Sequence, residues 1–274
     1  MAITHRLWLV LVLTALIHLI NTLGYSVRLA GVRTQRLALA FSLWNVIFLV
    51  SSTANTIQAP LMGKIIDRAG AMVAVNRQEV LLAVSREMRL VLLAATVGTI
   101  LGTIMIPSFV RIFTKGIFLF ERVGSVPGMV KMLLSPQKIK SLLGAVRLPG
   151  KKQIAHISRQ KVPKRIVVLN ILVTGIYTTG VLSALYAGLM DINHVRTATN
   201  MTGIINGLAT VLGVTVIDPK VASITDQAAR GLRAEADVKD MTVYLALSRI
   251  GGTILAQAIF FPAAWFIVQV AKLI

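Results

Sequence analysis

The chain has 274 residues, of which 55% are hydrophobic and 14% are charged, and its formal net charge is +19. A soluble domain carries about 25% charged and about 45–50% apolar residues, so this composition excludes an ordinary soluble enzyme. The absence of cysteine excludes disulfides, thiolate nucleophiles and cysteine-ligated metal sites.

Runs of roughly 20 apolar residues, long enough to cross a hydrocarbon core about 30 Å thick, recur along the chain. The predicted spans are Leu7–Gly24, Leu37–Ile57, Leu90–Phe113, Ile166–Met190, Asn200–Ile217 and Val243–Val270. The first run also has the length of a signal peptide, but no small-residue cleavage site follows it, which favours a retained span. We therefore predict an all-α, polytopic membrane protein of about six transmembrane helices.

Basic residues are unevenly divided between the two ends of the predicted bundle. The segments that follow the first, third and fifth spans carry twenty of the 29 lysines and arginines, whereas the opposite segments carry eight. Because cytoplasmic loops are enriched in these residues, we predict that both chain termini lie outside. Three regions follow from this layout: a first membrane half at 1–112, a basic cytoplasmic loop at 113–165 and a second membrane half at 166–274.

The basic loop could bind either nucleic acid or lipid. It contains twelve of the thirteen Lys and Arg found from Arg111 to Arg165, but residues 124–165 contain no aromatic side chain for base stacking. Its short apolar fragments Val130–Leu134 and Lys138–Leu143 are typical of helices that lie on an anionic leaflet. We therefore expect the loop to contact anionic phospholipids and not nucleic acid.

Short motifs recur in the same order in the two halves. They are Val-Arg-Thr at 32–34 and 195–197, Pro-x4-Ile-x-Asp-x-Ala at 60–69 and 219–228, and Gly-Thr-Ile-Leu at 98–101 and 252–255. Two units of three spans each must run antiparallel, which is the arrangement of many transporters that work by alternating access. We predict two inverted three-helix repeats, in which Asp67 and Asp226 are candidate gate residues at opposite ends.

Several polar side chains fall at membrane depth, where a polar group that faces lipid is costly. Asn45, Asn55 and Gln58 of the second span are candidates for lining a polar pathway, although hydrogen bonding between helices is the plainer account of most such residues. His18 lies about halfway through the first span. It could act in a proton relay or remain a neutral, hydrogen-bonded ring.

Arginines supply the charge near these polar residues. Arg249 lies inside the sixth predicted span and requires either a carboxylate or phosphate partner, or a snorkelling side chain that reaches the surface. Arg28, Arg33 and Arg36 surround the turn between the first two spans, where they are either positive-inside anchors or a receptor for a pyrophosphate.

The motifs of common enzymes are missing from the sequence. Gly150-Lys151-Lys152 lacks the glycine spacing and the hydroxyl residue of a phosphate-binding loop, and neither H-E-x-x-H nor G-x-S-x-G occurs. Four histidines and ten acidic residues, most of them in loops, leave little for acid–base or metal chemistry. We expect no catalytic residues, no metal and no cofactor.

The string Gly24-Tyr25-Ser26-Val27-Arg28-Leu29-Ala30-Gly31-Val32-Arg33-Thr34, together with residues 54–60, resembles the Amj family. The resemblance covers nearly the whole chain. It implies a multi-pass protein of the bacterial cytoplasmic membrane that flips lipid II, the lipid-linked peptidoglycan precursor, as an alternative to the unrelated flippase MurJ. The matched positions Tyr25, Arg28, Arg33, Asn55 and Gln58 become candidates for the lipid pathway.

The same residues fit lipid II chemically, because its pyrophosphate requires cations and its sugars require amide or hydroxyl groups. The candidate substrate-binding residues are Tyr25, Arg28, Arg33, Asn45, Asn55, Gln58 and Arg249. Two alternatives stay open: a transporter of another lipid-linked anion such as undecaprenyl phosphate, and a non-transporting scaffold that recruits cell-wall enzymes through the basic loop. A homodimer is compatible with so small a bundle, although no interface motif indicates one.

Overall fold

A computed structural model describes residues 5–133 and 163–274, and its regular elements are helices. The elements are α1 (His5–Leu23), α2 (Val27–Thr34), α3 (Leu37–Val73), α4 (Arg77–Val123), α5 (Val126–Leu133), α6 (Lys164–Met190), α7 (Val195–Asn200), α8 (Thr202–Leu212), α9 (Asp218–Ala229) and α10 (Glu235–Leu273). Short 3₁₀ turns at Gly24–Ser26 and Ile192–His194 join α1 to α2 and precede α7.

Six helical stretches are long and apolar enough to span a membrane, which confirms the predicted number. They are His5–Thr34, Leu37–Val73, Arg77–Val123, Lys164–Met190, Ile192–Ala229 and Glu235–Leu273. Most extend well beyond the predicted spans: α3 has 37 residues and α4 has 47, or about 55 and about 70 Å at about 1.5 Å per residue. The predictions ended where hydrophobicity fell, but a helix continues through polar sequence until a turn or cap stops it.

Local signals mark several of these ends. Gln35 adopts a left-handed conformation (φ 56°) in the tight turn between α2 and α3. Asn76 caps α4 by accepting a hydrogen bond from the backbone N–H of Glu79 at 3.4 Å. Gly124, with φ 72°, ends α4. The fifth span is irregular, because a π-helical segment at Gly213–Ile217 separates α8 from α9.

Within each half, the first and third helices of the unit approach closely at a glycine. A Cβ atom added at Gly98 of α4 would lie 2.1 Å from the carbonyl oxygen of Ala15 in α1. A Cβ atom added at Gly252 of α10 would lie 2.7 Å from the carbonyl oxygen of Ile171 in α6. The two glycines open the repeated Gly-Thr-Ile-Leu motifs. This equivalence supports the inverted repeat, which remains a prediction.

Ion pairs show which ends of the helices lie close together. Arg33, after the first span, pairs with Glu235 at 2.7 Å, and Arg36 pairs with Glu121. The ends of the first, third and fifth spans therefore lie together, as the charge count requires. At the opposite end, Arg77 donates to the carbonyl of Met190. Which end faces the cytoplasm stays a prediction.

Most of the predicted surface loop lies outside the described residues. The segment 134–162, which includes the expected helix Lys138–Leu143, is not described. Before it, α4 continues past the predicted boundary at 112 to Val123, and α5 follows. Val126 and Met129 of α5 pack against a cluster that includes Phe113 and Ile117 of α4.

Candidate functional site

A cavity of about 550 Å³ lies between the two halves. Two apolar clusters, each with residues from both halves, flank the cavity. Along the chain, Leu7 and Val10 of α1 belong to one cluster, and Leu29 and Val32 of α2 belong to the other. The intervening residues from 17 to 28 supply cavity-lining side chains. The cavity therefore lies near the middle of the bundle.

Both halves contribute polar side chains to the wall. The first half supplies His18, Asn21, Tyr25, Arg28, Ser51, Ser52 and Asn55. The second half supplies Asn170, Thr174, Tyr177, Thr178, Asn206, Asp218 and Arg249. The lining thus combines two guanidinium groups and one carboxylate with hydroxyl and amide groups, which suits an anionic ligand that also carries sugars.

The structure brings five of the sequence-predicted residues together. His18, Tyr25, Arg28, Asn55 and Arg249 all line this cavity. Gln58 lines an adjoining cavity of about 180 Å³, together with His18 and Asn55, and its amide donates to the Thr14 hydroxyl at 2.9 Å. The adjoining cavity extends the polar wall along α1 and α3.

The other four candidates lie elsewhere. Arg33 is held by Glu235 at the end of the bundle, and Asn45 is exposed on α3 away from the cavity lining. Asp67 is exposed near the end of α3. Asp226 forms an ion pair with Arg230 one helical turn away, at 3.0 Å. The site residues therefore separate into a cavity group and an end group.

Arg28 is held loosely in the cavity wall. Its side chain is only 18% exposed, and one terminal nitrogen lies 3.6 Å from a carboxylate oxygen of Asp218. The guanidinium also lies 5.6 Å from the centre of the Phe41 ring. Its buried Nε has no hydrogen-bond partner among the described residues. Because charge-assisted hydrogen bonds are about 2.7–2.9 Å long, Arg28 retains capacity to bind an anion.

Arg249 faces the same cavity from α10. Its guanidinium lies 6.0 Å from the centre of the Tyr25 ring, and its buried Nε also has no hydrogen-bond partner. The ion pairs found among the described residues do not include Arg249.

Unsatisfied polar atoms concentrate at this cavity. Among the described residues, five buried side-chain nitrogen or oxygen atoms have no hydrogen-bond partner, and four of them belong to cavity-lining residues. The four are His18 Nδ1, Arg28 Nε, Asn206 Oδ1 and Arg249 Nε. Buried polar groups are normally hydrogen-bonded, so such a concentration is typical of a site that binds a ligand.

A hydrogen-bonded node connects the halves beside the arginines. The Asn170 amide nitrogen donates to the Ser248 hydroxyl at 2.7 Å and to the Leu245 carbonyl at 3.1 Å. The Tyr25 hydroxyl donates to Asn170 Oδ1 at 3.3 Å. These hydrogen bonds hold the Tyr25 ring beside the Arg249 guanidinium.

Several polar residues of the cavity wall were not among the sequence candidates, and the charged one is Asp218. It falls one position beyond the predicted end of the fifth span. The signal that could have found Asp218 is an acidic residue directly before Pro219, after a glycine-containing apolar run. Across 5–133 and 163–274, no cluster of three or more His, Asp or Glu could hold a metal ion.

Comparison with known proteins connects this architecture to a family. The family model described as Amj, alternate to MurJ, matches residues 13–271. The chain belongs to the Amj family. Lipid II flippase Amj of Bacillus subtilis (strain 168) is 40% identical over 271 residues, which cover 98% of each chain. No solved structure matches the chain. The predicted resemblance to Amj is thereby confirmed over nearly its full length.

Proposed function

We propose that this chain is a lipid II flippase of the bacterial cytoplasmic membrane, a transporter and not an enzyme. The observation that carries the proposal is a pair of arginines, Arg28 and Arg249, that line one cavity between the two halves. Their buried Nε atoms have no hydrogen-bond partner in the described part of the chain. A pyrophosphate supplies the oxygen acceptors that both guanidinium groups require. The name of the Bacillus subtilis relative supports lipid II as the substrate.

The rest of the cavity suits the remainder of the headgroup. Amide and hydroxyl groups of Asn21, Ser52, Asn55 and Asn206 can bind the sugars, while the polyprenyl tail stays in the bilayer. A volume of about 550 Å³ is that of a site for a drug-sized ligand, which is smaller than a disaccharide with its peptide. The halves must therefore separate further during translocation, which agrees with alternating access between inverted repeats.

Within this mechanism the end group has other tasks. Arg33 would receive the substrate at the inner mouth, and Asp67 and Asp226 would act in gating at opposite ends; both assignments remain predictions. His18 lies between the two cavities with Nδ1 unpartnered. A proton relay through His18 likewise remains a prediction, as does a homodimer.

The test is transport of fluorescent lipid II in liposomes that contain only this purified protein. A membrane-impermeant quencher reaches label on the outer leaflet, so flipping exposes the fraction that was protected inside. We expect protein-dependent loss of the protected fraction. Unchanged protection, in vesicles where the protein is shown to be folded, would contradict the proposal.

Competition separates the alternative substrate. If undecaprenyl phosphate slows lipid II flipping and is itself moved faster, the cavity serves that lipid-linked anion instead. A scaffold predicts a different pattern in cells: deletion of Lys131–Lys164 would abolish function, whereas Arg249→Ala would be harmless. The flippase predicts greater sensitivity to Arg249→Ala than to the deletion.

A further inference from the structure

We propose that Asp218 is an internal counter-ion, which occupies Arg28 while the cavity is empty and is displaced by the substrate phosphate. The proposal rests on the proposed function for the identity of that phosphate. It assigns a specificity-determining role to a carboxylate that lies next to the site and repels the anion the site binds.

Arg28 needs a counter-ion. An arginine in the interior of a membrane protein is costly when nothing compensates its charge. Its side chain is mostly buried, and the Asp218 carboxylate is its ion-pair partner in the described residues. The contact uses one terminal nitrogen at 3.6 Å and leaves Nε without a partner. The pair is close enough to neutralise the charge and too loose to satisfy the guanidinium.

Asp218 does not need Arg28 to the same degree. Its side chain is 58% exposed, against 18% for Arg28. The exposed carboxylate can therefore release Arg28 at little cost, whereas the buried guanidinium must gain a new partner at that moment.

The position of Asp218 in the chain permits such a release. The π-helical segment Gly213–Ile217 directly precedes it, and short π segments occur frequently at functional sites. Gly213 and Ile217 themselves line the cavity beside Asp218. The start of α9 is therefore joined to α8 through a π-helical turn within the helical stretch Ile192–Ala229.

The exchange would discriminate between anions. Asp218 is the one carboxylate of the described cavity lining, so any anion that reaches Arg28 must compete with it. A pyrophosphate can bind several guanidinium nitrogens of both arginines, whereas a phospholipid such as phosphatidylglycerol brings a single negative charge. Asp218 would thus keep abundant anionic phospholipids out of a cavity that opens within the membrane.

The test compares Asp218→Asn with Asp218→Glu in the full-length protein. Binding of fluorescent lipid II is measured in phosphatidylcholine vesicles, with and without added phosphatidylglycerol. We expect Asp218→Asn to bind lipid II at least about threefold more tightly and to become sensitive to phosphatidylglycerol. The same variant should flip lipid II with a lower maximal rate, because nothing displaces the phosphate from Arg28 at release. Asp218→Glu should restore wild-type behaviour.

Controls separate this role from a structural one. Asp237→Asn removes a partly buried carboxylate that pairs with Arg233 outside the cavity lining, and it should leave binding unchanged. In an Arg28→Gln background, Asp218→Asn should have no further effect on binding, because the cation for which it competes is gone. An unchanged or weaker affinity in folded Asp218→Asn protein, with no response to phosphatidylglycerol, would overturn the proposal.

The failure of the flippase can be recognised separately. If the wild-type protein moves no lipid II, but Asp218→Asn gains affinity for phosphatidylglycerol through Arg28, the counter-ion role is supported and the flippase function is contradicted. If the wild-type protein flips lipid II and Asp218→Asn alters neither affinity nor rate, the counter-ion role falls alone.

Discussion

The contacts within each half differ in kind from the contacts between the halves. Within a half, helices meet at small residues, so that Gly98 packs against the backbone of Ala15 and Gly252 against that of Ile171. Between the halves, next to the two shared apolar clusters, lies a cavity lined by arginine, asparagine, serine and threonine. Four buried polar atoms of its lining have no hydrogen-bond partner among the described residues.

This difference indicates which parts of the molecule are able to move. Backbone-to-backbone packing resists rotation, because any displacement produces overlap or opens a void. Side chains whose polar atoms lack hydrogen-bond partners can rearrange to gain partners, especially once a ligand enters. We therefore expect each half to act as a rigid body, with the cavity changing shape between them.

The largest effect is expected from Gly98→Ala. The new Cβ atom would meet the carbonyl oxygen of Ala15 at 2.1 Å, a distance that only separation of α1 and α4 can relieve. Overpacking costs about 1–3 kcal/mol and occasionally more. We expect most of the protein to aggregate in detergent, and the remainder to have a clearly lower Tm by a thermal-shift assay.

Gly116→Ala is the matched control in the same helix. A Cβ atom at Gly116 has nothing within 4 Å, so this variant should be as stable as the wild type. If Gly98→Ala and Gly116→Ala gave the same Tm, α1 and α4 would not be locked together, and the rigid first half would have to be abandoned.

Cross-linking tests the movement directly, since the chain contains no cysteine of its own. Cysteines at Arg33 and Glu235 join the two halves at one end of the bundle, where these side chains pair. A short, reducible bis-maleimide across them should stop lipid II flipping in liposomes almost completely. Reduction of the linker should restore the rate measured before cross-linking.

The neighbouring pair Arg36 and Glu121 provides the control. It lies at the same end but joins α3 to α4 within the first half, after the α2–α3 turn. The same cross-link placed there should leave most of the flipping rate. Equal inhibition by both cross-links would show that the halves do not move as separate bodies.

The sequence was sufficient to predict the spans, because about 20 apolar residues have few stable conformations other than a membrane helix. It was not sufficient to predict where helices end: α4 runs from Arg77 to Val123 through polar sequence on both sides of its apolar centre. A hydrophobicity pattern locates the hydrocarbon core, whereas caps such as Asn76 determine the helix.

The cavity was predicted only in part. Polar residues at membrane depth were recognised, and Arg28, Asn55 and Arg249 do line one cavity. The sequence could not distinguish the position of Arg28 from that of Arg33, which lies five residues further along α2. Only the packing of this helix determines that Arg28 lines the cavity whereas Arg33 reaches the end of the bundle. Asp218 was missed because the irregular fifth span places its carboxylate opposite α2, and no local pattern encodes that contact.

Substitution of the cavity arginines should have the next largest effect on transport. Arg249→Ala removes a cation that forms no ion pair found among the described residues, so we expect the substitution to weaken mainly the binding of the substrate. A charge-assisted hydrogen bond contributes about 1.5–3 kcal/mol, which corresponds to about a tenfold to hundredfold lower flipping rate at subsaturating lipid II. Initial rates in liposomes, with the amount of reconstituted protein normalised, measure the effect.

Arg33→Ala is the comparison that tests the division between cavity and end residues. Arg33 is partly exposed and already paired with Glu235, and exposed pairs contribute about 0–1 kcal/mol. We expect at most about a fivefold change in rate. A loss as large as that of Arg249→Ala would mean that the substrate contacts the end of the bundle as strongly as the cavity.

The smallest effect is expected from Tyr25→Phe, which separates the two contacts of this side chain. The hydroxyl makes one long hydrogen bond to Asn170 at 3.3 Å, and such bonds between membrane helices average about 0.6 kcal/mol. The ring faces Arg249 at 6.0 Å, and phenylalanine preserves it. Tyr25→Phe should therefore flip lipid II within about threefold of the wild type, whereas Tyr25→Leu, which removes the ring, should lower the rate further. If Tyr25→Phe lowered the flipping rate as much as Tyr25→Leu, Tyr25 would contribute to transport through its hydrogen bond between the halves and not through the orientation of Arg249.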